Sequence, residues 1–88
     1  MDRDILARVE SAEEVVRALG FEEFRVRHHG DVARLELRAS DLERAVEVRA
    51  ALVRGVKRAG YRWVTLDLGG FRSGSLNVVL QDGKLRSS

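Results

Sequence analysis

The chain contains no cysteine, only two lysines, and no long apolar run. Without cysteine there is no disulfide framework, no thiolate zinc site and no cysteine nucleophile. No apolar stretch approaches the roughly 20 residues of a membrane span. The opening "MDRDILARVE" lacks the apolar core of a secretory signal, so a cytoplasmic location is expected. Repeats, linkers and low-complexity tracts are missing. So are a Ser-His-Asp set, a paired-histidine metal motif, a Walker loop and a dinucleotide fingerprint. These gaps remove the common routes to catalysis: the residues imply no catalytic group, no metal and no cofactor.

What remains is an 88-residue chain, 44% hydrophobic and 34% charged, which fits one soluble domain with a single modest core. Of its 16 basic residues all but Lys57 and Lys84 are arginines, yet the net charge is only +2. Arginine offers a planar fork for carboxylate and phosphate. A GC-rich genome or a thermophilic host would also raise its count, and that plainer cause accounts for most of the excess. Particular arginines in unusual surroundings need their own argument.

Ile5, Leu6, Val9, Ala12, Val16 and Leu19 recur at spacings of three and four. They predict an amphipathic helix entered near Asp2 and stopped by Gly20 in the C′ position. Phe24, Val26 and His28 then alternate with Arg25, Arg27 and His29. After Gly30-Asp31, Ala33, Leu35 and Leu37 alternate with Arg34, Glu36 and Arg38, which reads as a β-hairpin. Ser40 and Glu43 suggest a capping box for a second helix, with Leu42, Ala45, Val46, Val53 and Val56 on or near one face and Gly60 at its end. "YRWVTLDL", residues 61–68, reads as a third strand, and "LNVVL" as a short fourth strand or turn.

The expected class is α+β: one small domain over residues 1–80, ordered α-β-β-α-β(-β), with a polar tail at 81–88. Two helices would cover one face of a mixed three- or four-stranded sheet. Phe24, Val26, Leu35, Leu37, Val64, Leu66 and Leu68 should point toward them. The helical crossover should make the second and third strands parallel. The place of the third strand in the sheet stays open.

Arg25 and Arg27 lie on one strand face, about 7 Å apart, opposite Phe24 and Val26. With the helices on the Phe24 side, both guanidiniums stand on the uncovered face. The plainer alternative is a solvated polar face paired with Glu36 across the hairpin. The run "GGFRSGSLN", residues 69–77, spends three glycines and two serines around Arg72. Such a run can turn several N–H groups inward as an anion nest, with Arg72 as the charged fork and Ser73 beside it; ordinary turn chemistry would explain it as well. Glu13 borders the apolar stripe of the first helix, as a partner for Arg17 or as an acid reaching toward the arginines or a metal. His28 and His29 face opposite ways, so one is expected half-buried and the other exposed, and they cannot readily share a metal.

Taken in order, "ARVESAEEVVRALGF", "FRVRHHGDVARLEL", "AGYRWVTLDL" and "GGFRSGSLN" resemble the C-terminal domain of the ATP-dependent sacrificial sulfur transferase family (LarE) over nearly the whole chain. The resemblance implies a role in making the nickel-pincer cofactor of lactate racemase. In that family an N-terminal pyrophosphatase-type domain adenylates a carboxylate of a nicotinic-acid-derived mononucleotide, and sulfur is delivered from a consumed cysteine. The C-terminal domain supplies phosphate-holding arginines and helps build the oligomer. By position, Arg25, Arg27 and Arg72 match those arginines, and Glu13 matches an acidic residue near the active site. There are departures. This chain has no Ser-Gly-Gly-x-Asp-Ser loop and no cysteine, so it cannot adenylate or donate sulfur alone, and Val78 stands where an acidic residue is expected.

The expectation is a non-catalytic phosphate-binding and assembly domain. Its implied partners are an ATP-pyrophosphatase-type protein, a phosphate-bearing nucleotide-like ligand and copies of itself, with no membrane. The alternatives are a free-standing oligomerisation module and an RNA-binding module. The low net charge and the scarcity of stacking aromatics beyond Tyr61 and Trp63 weigh against nucleic acid.

Overall fold

The computed structural model describes residues 3–70. Helix α1 (Arg3–Ala18) leads into strands β1 (Phe24–His29) and β2 (Val32–Leu37). A 3-10 turn (Ala39–Asp41), helix α2 (Leu42–Glu47) and helix α3 (Arg49–Arg58) then cross to strand β3 (Trp63–Leu66). The sheet order is β1-β2-β3. The first pair is antiparallel with Val26 opposite Leu35, and the second is parallel with Leu35 opposite Leu66. The class is therefore α+β with a mixed sheet, and the third strand joins beside the second. No helix among the described residues is long and apolar enough to cross a membrane.

Both long helices end in the same way. Gly20 (φ +98°) donates to the Arg17 carbonyl at 3.0 Å, and Phe21 N–H reaches the Val16 carbonyl at 3.4 Å. Gly60 (φ +121°) donates to Lys57 at 2.9 Å, and Tyr61 N–H reaches Val56 at 3.5 Å. These are Schellman motifs, which require a left-handed residue that glycine adopts without steric penalty. Each also sets an aromatic ring against the residue five positions earlier. Val16, Phe21, Val56 and Tyr61 are all buried. Two helix ends thus become two corners of the core.

Alternation in the hairpin does the rest. Val26, Ala33, Leu35 and Leu37 are buried beneath the helices, while Arg25, Arg27 and His29 are exposed. His28 is half-buried and its Nδ1 lies 2.8 Å from the Tyr61 hydroxyl; His29 is exposed, as the alternation predicts. Burial holds the Tyr61 phenol above its ordinary pKa, and the Arg8 guanidinium over its ring partly opposes this.

Four sequence-based expectations need correction. The expected second helix is two helices, with a break at Val48 (φ −102°, ψ 22°). The Ser40–Glu43 capping box does not form: Ser40 lies inside the 3-10 turn, and the cap residue Asp41 makes no side-chain cap bond. Asp41 instead pairs with Arg38, Nε to Oδ2 3.3 Å. The buried stripe is Ala45, Leu52 and Val56, so Val46 and Val53, each one position further along the helix and about 100° around it, are exposed. Finally, β3 ends at Leu66, and Leu68 is 80% exposed rather than facing the helices. The strand stops there because Asp67 starts a turn, accepting from Gly70 N–H through its carbonyl (3.1 Å) and from Gly69 N–H through its carboxylate (2.9 Å). The expected fourth strand at 76–80 and the tail at 81–88 lie outside the described residues.

Candidate anion-binding face

The helices occupy one side of the sheet, so its other side is an open platform whose make-up follows from strand parity and register. At one end stand His29, Val32 and Trp63, the tryptophan 58% exposed. Arg27, Arg34 and Thr65 form the middle row. Arg25 and Glu36 are opposite each other in the last row. Asp67 extends that row, its N–H bonded to the Leu35 carbonyl at 2.9 Å.

Arg25 and Arg27 therefore do share the uncovered face. Arg27 Nε lies 3.3 Å from Glu36 Oε2, which is the cross-hairpin pairing the sequence allowed. Arg34, which the sequence reading did not single out, belongs to the same group: its Nη2 donates to Glu36 Oε2 at 2.9 Å, and its Nη1 lies 3.8 Å from Asp67 Oδ2. Glu36 thus gathers guanidiniums from both strands of the hairpin. The two-residue turn places His29 opposite Val32 and hence Arg27 opposite Arg34, a placement that counting back from Gly30-Asp31 would have supplied.

Glu13 is half-buried on α1, in the helix layer on the far side of the sheet from this face. The carboxylates that meet the face's arginines are Glu36, with Arg27 and Arg34, and Asp67, with Arg34. Arg72 and Ser73 lie outside the described residues. Gly70, at φ +82°, passes so close to β2 that a Cβ there would lie 3.2 Å from the Leu37 carbonyl oxygen. Leu37 pairs with Phe24, the neighbour of Arg25. Gly70, the last described residue, therefore lies at the end of the sheet where Arg25 pairs with Glu36.

A cluster of this type can bind an anion by charge and by directed N–H donors. Among the described residues there is no group of three or more histidines or acidic residues placed to hold a metal ion.

No protein-family model matches the chain. It is 41% identical over 85 residues, 97% of its length, to the pyridinium-3,5-bisthiocarboxylic acid mononucleotide synthase of Lactiplantibacillus plantarum. It is 40% identical over 77 residues, 85% of its length, to an uncharacterized protein of Synechocystis sp.. The matched stretches are 31% and 29% of those proteins, so the chain spans less than a third of either relative.

Proposed function

We propose that this chain, the counterpart of one segment of a LarE-type sulfur transferase, is the phosphate-binding and assembly domain of a system that makes the nickel-pincer cofactor. The relative's product is a mononucleotide, a molecule with one phosphate monoester, and the open face offers arginines suited to hold one. Arg25 and Arg27 would take the phosphate. Arg72 and Ser73, on the glycine-rich run that follows Gly70, would add to the phosphate-holding set. A catalytic partner of the ATP-pyrophosphatase type would complete the active site. The chain itself would be non-catalytic, and the partner would supply adenylation and sulfur.

The observation that carries this reading is the gathering of arginines on the uncovered face, where Arg27 and Arg34 meet at Glu36 beside Arg25. The test is thermal. Inorganic phosphate and a pyridine mononucleotide should raise the melting temperature, the uncharged nucleoside should not, and Arg25→Ala and Arg27→Ala should abolish the effect. A rise that survives both substitutions would refute the site. The isolated chain should also form no AMP from ATP.

A second reading, an RNA-binding sheet face, draws support from Trp63, an exposed aromatic on the same platform as Arg27 and Arg34. Salt-dependent binding of single-stranded RNA that is lost in Trp63→Ala would favour it over the phosphate site.

A further inference from the structure

Glu36 is the most deeply set charged group in the cluster. Its side chain is 13% exposed, against 44% for Arg27 and 40% for Arg34. One of its oxygens, Oε2, receives both guanidiniums, Arg27 through Nε and Arg34 through Nη2. Arg27 and Arg34 are directly opposed on neighbouring strands. Like charges so placed repel, and a shared carboxylate relieves that repulsion.

We infer that Glu36 is the resident anion of this site, that Arg34 is its third strand guanidinium, and that a ligand binds by displacing a tethered carboxylate. The inference rests on the phosphate-binding reading above and adds a selection rule to it. Glu36 holds one negative charge in place by its covalent link to the strand, at an effective concentration no dilute ligand matches. A free carboxylate or a phosphodiester brings only one charge, no more than Glu36 already supplies. A phosphate monoester above pH 7 brings nearly two charges and three acceptor oxygens. The site therefore selects dianionic phosphate monoesters and rejects monoanions. Arg27 and Arg34 each meet Glu36 through a different nitrogen of a five-donor group, so both can turn donors to the incoming phosphate.

The experiment is calorimetric titration of the full chain at pH 7.5 and fixed ionic strength, with phenyl phosphate, dimethyl phosphate and acetate as probes. The wild type should bind phenyl phosphate at least tenfold more tightly than the other two. Glu36→Gln, which keeps the side-chain shape, should tighten acetate and dimethyl phosphate about tenfold and phenyl phosphate by less, narrowing the preference, because the competing charge is gone. Arg34→Ala should weaken phenyl phosphate about tenfold. Arg54→Ala, an exposed cation on α3, should stay within twofold of wild type and so exclude a general charge effect.

Equal or weaker binding by Glu36→Gln would overturn the resident-anion role, and Arg34→Ala within twofold of wild type would remove Arg34 from the site. Either result leaves the phosphate reading standing if Arg25→Ala and Arg27→Ala still abolish binding. Failure of the wild type to bind phenyl phosphate would sink the phosphate reading itself, and this inference with it.

Discussion

Gly55 sits inside α3, where glycine costs a helix about 1 kcal/mol relative to alanine. On propensity alone, Gly55→Ala should stabilise the protein. The packing predicts the opposite. A Cβ at position 55 would lie 2.5 Å from Val15 Cγ1 and 3.0 Å from its Cγ2, on α1. Ordinary contact begins near 3.4 Å. Val15 is β-branched and has one strongly preferred rotamer in a helix, so it cannot turn both methyls away. The helices would have to part by about 1 Å, and overpacking of this kind costs about 1–3 kcal/mol. A 2.5 Å approach belongs in the upper half of that range, so after the propensity gain of about 1 kcal/mol the net loss should be about 1–2 kcal/mol, a fall in melting temperature of about 4–16 °C for a domain this small. Thermal unfolding followed by circular dichroism reads this directly. The double variant adds a sign test: in a Val15→Ala background the obstructing methyls are gone, so Gly55→Ala should become neutral or stabilising, a coupling of about 1–3 kcal/mol. A single Gly55→Ala protein as stable as wild type would refute the close crossing of α1 and α3.

Three further outcomes follow from other parts of the fold. Leu37→Ala should cost about 2–5 kcal/mol, because Leu37 is fully buried in the core; chemical denaturation measures it. Arg44→Ala should cost about 1–2 kcal/mol although Arg44 lies far from the open face, since its guanidinium sits 4.1 Å from the Phe21 ring centroid and its Nη2 donates to the Gly20 carbonyl at 3.0 Å. Tyr61 supplies a pH dependence. Burial raises its pKa in the fold, so the unfolded chain loses the phenolic proton first, and stability should fall as pH rises above about 10. Tyr61→Phe should flatten that alkaline limb of the stability profile while weakening the fold at neutral pH through loss of the His28 hydrogen bond.

The hairpin and the face it presents were legible from residues 24–38, because a period of two leaves little freedom once a two-residue turn fixes the register. Gly20 and Gly60 as helix stops were legible for a comparable reason: a left-handed C′ position selects glycine. The aromatic corners were not singled out, yet a signal existed. "ALGF" and "RAGY" repeat a glycine followed by an aromatic, which is the hydrophobic contact of a Schellman ending written twice. The break at Val48 has no counterpart in the sequence, since neither proline nor glycine marks it and the apolar spacing runs through it. Leu68 misled because alternation in "YRWVTLDL" continues past the strand, while Asp67-Leu68-Gly69-Gly70 already spells a turn. At the site, the charge of Arg25 and Arg27 was visible. The convergence of Arg27 and Arg34 on one oxygen of Glu36 depends on rotamers, which sequence does not specify.

The central claim is that the strand arginines hold a phosphate monoester together with Arg72. Its most direct test is titration of nicotinic acid mononucleotide into the wild-type chain, Arg25→Ala, Arg27→Ala and Arg72→Ala, with melting curves showing each variant folded. Arg27 and Glu36 form a partly exposed pair worth at most about 1 kcal/mol to the fold, so Arg27→Ala should stay folded. The account predicts measurable binding by the wild type and affinities at least tenfold weaker in all three variants. Equal affinity across the four proteins would contradict it.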